Sequence, residues 1–252
     1  MTQRIRLKSK SEISLLEKAN VIVANLLEFL KEYIKPGIST YDIDKISEEF
    51  IINRDAKPAF KGYGGFPATV CASINDVVVH GIPSKKTILK EGDIITIDVG
   101  TIYEGYYGDS AWTYAVGNIS KKAQKLMDVT LRSLNIGIKN FVAGNRIGDL
   151  SNAIQEYVEG NGYYVIREYT GHGIGRNLHE PPSVPNYGKK GTGFSIMEGL
   201  TICIEPMVAI GTWRTKLMRD GWTAKTLDGS LAAHYEKAVA LVEGKPFILT
   251  HL

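Results

Sequence analysis

Two stretches of this chain repeat one another at a constant offset, and that repeat limits the fold more than any other feature. Moved by 107 positions, Gly37 falls on Gly144, Asp42 on Asp149, Ile43 on Leu150, Glu49 on Glu156, Phe50 on Tyr157 and Ile51 on Val158. The same offset carries Glu91-Gly92 onto Glu198-Gly199, Ile95 onto Ile202, Ile97 onto Ile204 and Asp98 onto Glu205. Amphipathic elements match one another by chance at apolar positions, but paired glycines and acids are harder to obtain that way. A duplication is the reading favoured here, and a site between its halves would draw one carboxylate from each equivalent strand.

The local signals agree with that order. Ser9 and Glu12 form a capping box ahead of Ile13, Leu16, Ala19, Val23, Leu26, Leu27 and Leu30, which recur at helical spacing. Pro36-Gly37 ends that helix, and Ser39 with Asp42 opens a second through Ile43, Ile46, Phe50 and Ile51. Over 57–108 and just beyond, Gly and Pro separate β-rich runs: TVCASI, VVVHGI, DIITIDV and YEGYYGDSAWTYAV. Helical spacing returns from Ser120 through Leu126, Val129 and Leu134, with another helix near 147–159 and strands after it. The expected organisation is one catalytic unit over 1–252, with a short basic tail at 1–8 and halves of about 9–118 and 119–252.

Composition excludes several classes. With 252 residues and 44% hydrophobic content the chain can bury a core, so disorder is ruled out. Two cysteines cannot make a disulfide scaffold or a four-cysteine zinc module. No run reaches the ~20 apolar residues of a membrane span. A net charge of +3 is too mild to point to DNA.

The chemistry lies in carboxylates placed where they should not be buried. Asp98 interrupts GDIITIDVG, and Glu205 interrupts GLTICIEPM at the equivalent place. Asp109 follows EGYYG on what reads as the return strand of a hairpin, and Glu236 precedes the apolar run AVALV. Each alone reads as a strand-end or solvated carboxylate. Four together, each at the edge of a hydrophobic run, point to a cation site, because a buried carboxylate must be paired, protonated or metal-bound. His80, His172 and His179 sit in Gly/Pro-rich loops, too irregular for a helical HExxH motif, while His234 and His251 read as structural. Oxygen-rich donors with one nitrogen suit Mn, Fe, Co or Zn. Two bridging carboxylates would hold two ions about 3.5–4 Å apart, as in metal-dependent hydrolases.

The series GYGGFPATVCASINDVVVHGIP, DIITIDVG, YYGDSA, GHGIGRNLHEPP, TICIEPM and DGWTAKTLDGSLAAHYEKAV resembles type I methionine aminopeptidases over almost the whole chain, in the family's order. The resemblance implies the α+β pita-bread fold, two pseudo-symmetric halves around a central antiparallel-rich sheet with a dinuclear site. It implies metal ligands at Asp98, Asp109, His172, Glu205 and Glu236, with Asp109 and Glu236 bridging. Glu205 would shuttle a proton, and His80 and His179 would flank the scissile peptide. Tyr63, Phe66, Cys71 and Trp222 would line the methionine pocket, with Phe60 and Leu178 beside them; Cys203 reads as a small buried residue. The implied cofactor is two divalent ions (Co, Mn, Fe or Zn), and the implied substrate is the N-terminal methionine of nascent chains with a small second residue. The chain resembles the minimal bacterial or organellar form, so a cytoplasmic monomer is expected. Arg4, Arg6, Lys8 and Lys10 form a basic tip that could dock transiently on ribosomal RNA phosphates. Two alternatives stay open here: a proline-specific aminopeptidase on the same fold, and a non-catalytic pita-bread binding protein.

Overall fold

The computed structural model describes residues 5–251. Arg4 of the basic tip lies outside them. Helix α1 (Lys10–Leu30) starts at the Ser9–Glu12 box, in which the Glu12 amide donates to Ser9 Oγ and the Ser9 amide donates to Glu12 Oε2. Helix α2 (Thr40–Ile52) starts the same way from Ser39 and Asp42. Five strands follow: β1 (Lys57–Pro58), β2 (Val70–Ile74), β3 (Val77–Val79), β4 (Ile94–Tyr103) and β5 (Tyr106–Ala115). Helices α3 (Lys121–Asn140) and α4 (Ile147–Gly160) open the second half, and β6 (Tyr164–Val165), β7 (Gly171–Gly173) and β8 (Glu180–Val184) come next. The chain ends with β9 (Thr201–Ile204), β10 (Met207–Ala209), β11 (Thr215–Leu217), β12 (Ala224–Thr226), β13 (Ala232–His234), β14 (Lys237–Val242) and β15 (Lys245–Ile248).

The repeat in the letters is a repeat in hydrogen bonds. The bridge Ser39↔Ile88 recurs as Arg146↔Ser195, at the same offset as the sequence match. The Leu89 amide donates to the Ile38 carbonyl at 2.9 Å, and its counterpart Ile196 donates to Asn145 at 2.8 Å. Gly92 donates to Val116 where Gly199 donates to Leu241, so each half ties its turn to the end of its return strand. Two large cores match as well: Leu27, Ile43, Ile95 and Ile97 in one, Leu134, Leu150, Ile202 and Ile204 in the other. The fold is therefore the expected α+β pita-bread architecture of two pseudo-symmetric halves.

Among the described residues the ladders between named strands are all antiparallel, and they form four hydrogen-bonded sheets. The β4–β5 hairpin anchors one half and the β9–β14 pair the other. They are zipped together where the Glu236 amide donates to the Ala111 carbonyl at 2.9 Å and Ser110 Oγ donates to the Glu236 carbonyl at 2.5 Å. Helix α1 packs on the face of the hairpin that carries Thr101 and Gly108; Thr101 Oγ1 donates to the Ala19 carbonyl. Strand alternation turns Asp98 and Asp109 to the other face.

One expectation needs correction. Lys8 is not part of a solvated tip: its side chain is 3% exposed and its Nζ lies 2.6 Å from Glu180. Nζ also donates to the Arg6 carbonyl at 2.8 Å, because a charge enclosed by packing must be met by partners, and the Lys8 amide donates to Gly199. Arg6 pairs with Glu12, which leaves Lys10 exposed at the start of α1.

Candidate metal centre and active-site cavity

The geometry of the site follows from strand parity. In the β4–β5 ladder Asp98 faces Ala111, and Asp109 lies two residues before Ala111, so both acids project from one face. Cys71, opposite Asp98 on β2, shares that face. In the β9–β14 ladder Cys203 faces Ala238, so Glu205 and Glu236, each two residues away, project together from the second half. The Glu236–Ala111 zipper then sets the two faces against each other. β7, held to β9 by Gly173↔Ile202, adds His172.

His172 Nδ1 donates to the Gly173 carbonyl at 2.9 Å, which assigns the lone pair of the neutral ring to Nε2. That nitrogen stands 3.6 Å from Asp109 Oδ2 and 3.6 Å from Glu205 Oε1. Burial, and then the neighbouring His179, pull the His172 pKa down to about 3, so the ring offers no positive charge to these acids. Asp98 is pushed up to about 7 by burial. Asp109 is raised by burial and by Glu236 and Asp98, Glu205 by burial and by Asp98 and Asp109, and Glu236 by burial and by Glu205 and Asp98. Asp98 Oδ1, Asp109 Oδ1 and Glu236 Oε1 are buried with no hydrogen-bond partner among the described residues. Acceptor atoms facing acceptor atoms, with a lone pair among them, fit a divalent cation and in its absence must take up protons.

The acids form the floor of a cavity of about 250 Å³, and all eleven candidate site residues line it. One wall is apolar: Phe60, Phe66, Cys71, Val79, Leu178 and Trp222, with the Phe66 and Trp222 rings edge-on at 5.2 Å. His179 lies over His172 at 4.3 Å between ring centroids, and its Nδ1 is 2.8 Å from the Tyr63 hydroxyl. His80 stands beside the apolar wall, edge-on to Tyr169 at 5.5 Å. Its backbone is left-handed (φ 59°), a conformation costing on the order of 1–3 kcal/mol outside glycine. Gly81 follows because a Cβ there would meet the Ala72 carbonyl oxygen at 2.3 Å. Burial lowers the pKa of both His80 and His179, keeping them neutral.

Residues outside the sequence reading join the site. Tyr169 and Thr170 complete the rim, and nothing in their local sequence marks them. His234, read as structural, is buried with both ring nitrogens unpartnered among the described residues, its Nε2 3.7 Å from Glu205 Oε2. Cys203, read as a core residue, is fully buried and also faces the acids: Asp109, His172, Cys203 and Glu236 offer donor atoms all within 4.8 Å of one another. The spacing of Cys203 from Glu205 on one strand was the available signal. His251 pairs at the surface with Glu17, as a structural residue would.

Residues 14–243 match metallopeptidase family M24. A methionine aminopeptidase of Clostridium acetobutylicum is 51% identical over 246 residues, 98% of each chain. The crystal structure of a methionine aminopeptidase from Thermotoga maritima is 46% identical, with a TM-score of 0.97, covering 99% of this chain and 100% of that one. A prolidase from Pyrococcus horikoshii shares the fold at a TM-score of 0.77, but is 23% identical, and the alignment covers only 63% of its length.

Proposed function

The chain belongs to metallopeptidase family M24, and from that membership and the cavity we propose how it removes N-terminal methionine from peptides and proteins. It is a methionyl aminopeptidase that binds divalent metal. The observation that carries the reading is the convergence of four buried acids, one neutral imidazole and an apolar wall on one cavity.

Asp98, Asp109, His172, Glu205 and Glu236 would hold the divalent metal, two ions in this reading, with Asp109 and Glu236 at the seam between the halves. When bound, such ions lower the pKa of a water and polarise the scissile carbonyl. The apolar wall takes the methionine side chain, with Tyr63, Phe66, Cys71 and Trp222 around it. Glu205 carries the proton: its carboxylate lies at the cavity floor beside His172, placed to take a proton from the attacking water and return it to the leaving amine. His179 accepts from the Tyr63 hydroxyl through Nδ1 and presents its Nε2–H to the substrate carbonyl, and His80 supports the same group from the other side.

The proline-specific reading is not favoured, since the likeness to prolidase extends to the fold alone. The non-catalytic reading is not favoured either, since every donor type stands in the cavity. The substrates are nascent chains with a small second residue, met in the cytoplasm by a monomer. Among the described residues no helix is long and apolar enough to cross a membrane. Ribosome docking would use Arg6 and Lys10, because Lys8 is committed to Glu180.

The test is hydrolysis of Met-Gly-Met-Met and an Xaa-Pro peptide by chelator-treated protein supplied with Mn, Fe, Co or Zn. Metal-dependent release of methionine from the first peptide alone is expected. Cleavage of only the Xaa-Pro peptide would move the chain to the proline-specific branch.

A further inference from the structure

Of the two cysteines in this chain, both free and both buried, only Cys203 has its sulfur among the donor atoms of the metal centre. It sits on β9 two residues before Glu205, on the same strand face, opposite the small side chain of Ala238. Its Sγ, His172 Nε2 or Nδ1, and one carboxylate oxygen each of Asp109 and Glu236 lie within 4.8 Å of one another. Metal–sulfur bonds of about 2.3 Å and metal–nitrogen bonds of about 2.0–2.1 Å would be within reach of these donors after small side-chain rotations.

An independent observation points to a ligand at the same place. Asp109 and Glu236 are 3% and 2% exposed, and Asp109 Oδ1 and Glu236 Oε1 have no hydrogen-bond partner among the described residues. With the His172 lone pair they make three unsatisfied donors converging beside a thiol. One nitrogen, two oxygens and one sulfur is a softer set than the four acids and one imidazole proposed above, and thiolate donors select zinc-like ions over manganese.

We propose that Cys203 is a sulfur donor on the His172 side of the centre, so that a thiophilic divalent cation there is met by Cys203 as well as by Asp109, His172, Glu205 and Glu236. The inference rests on the metal-centre reading and adds a ligand to it. On binding, the Cys203 S–H bond breaks, its proton leaves to solvent and a metal–sulfur bond forms, with no change of oxidation state. A metal held this way discriminates between ions that the oxygen donors alone treat more evenly.

Chelator-treated wild type, Cys71→Ser and Cys203→Ser proteins titrated with Co²⁺ test this, with absorbance as the readout. A sulfur-to-cobalt charge-transfer band is expected in wild type and in Cys71→Ser, and is expected to be missing from Cys203→Ser. Calorimetric titration with Zn²⁺ and Mn²⁺ should show the zinc-to-manganese affinity ratio falling by about tenfold or more in Cys203→Ser. Cobalt binding without the band, or a band that survives Cys203→Ser, overturns the proposal while leaving the metal centre standing. No binding of any ion by wild type overturns the metal centre itself. Should Cys203→Ser fail to fold, the band in Cys71→Ser still decides, because Cys203 is then the one remaining thiol.

Discussion

Asp98 stands in a strand of Ile, Thr and Val, a misfit legible in the letters alone. Its cost is set by the surroundings: without metal its charged form is disfavoured by burial, and its charge raises the pKa of Asp109, Glu205 and Glu236. Asp98→Asn should therefore leave the metal-free protein folded and no less stable, while turnover falls by at least about a hundredfold through loss of metal. Equal activity of variant and wild type would remove Asp98 from the centre. Tyr63 makes a smaller contribution. Tyr63→Phe deletes one hydrogen bond to His179, a loss of about 1 kcal/mol, so kcat/KM should drop about fivefold. An unchanged value measured on a methionyl peptide would mean that His179 is oriented by other contacts. At this scale residue types were legible and partners were not: His234 looks like any loop histidine until its ring is seen beside Glu205.

At the scale of elements, the helix starts and the strand alternation were legible because both are local. The Ser9–Glu12 and Ser39–Asp42 boxes form as expected, and in the second half the Arg146 amide donates to Asp149 Oδ2 at 2.7 Å. The close approach of α1 to the β4–β5 hairpin was not legible. Gly108 permits it: a Cβ there would meet the backbone of Ala19 at 2.6 Å, where no flexible side chain can yield. Gly108→Ala should cost about 1–3 kcal/mol and also disturb its neighbour Asp109, whose amide donates to Asn20 Oδ1. Thermal melting reads the first effect and metal affinity the second. A variant with wild-type melting would show that α1 can shift off the hairpin freely.

Across the whole molecule, buried acids and buried histidines pull stability in opposite directions with pH. His172 and His234, each with a pKa of about 3, are neutral when folded, so their contribution is full above about pH 6.5 and is lost as pH falls. Asp98, at about 7, holds a proton in the folded state that the unfolded chain has released, so its contribution is full below about pH 4 and is lost as pH rises through 7. Above about pH 7.5 the unfolded histidines are neutral too, so they fall silent and the acids decide. Chelated protein should melt lower at pH 8.5 than at pH 7.5. Added metal should reverse the trend, since binding displaces protons and strengthens as they become scarcer. A chelated melting temperature that rises over this interval would contradict the account of the buried acids.

What the sequence by itself determined is what its letters encode directly: helix caps, the hairpin that returns Asp109 beside Asp98, and the offset that relates Asp98 to Glu205. The caps and the hairpin depend on near neighbours, and the offset is a repeat in the letters, whereas the pairing of Glu205 with Glu236 needed the β9–β14 register. Tertiary structure alone decided that the two pairs face one another, through a seam whose Ser110–Glu236 bond joins residues 126 apart in the chain. It also decided that Lys8 leaves the solvent to meet Glu180, and that Cys203 and His234 look into the site and not only into the core. Such contacts rest on the packing of every intervening element, and no local pattern of letters carries that sum.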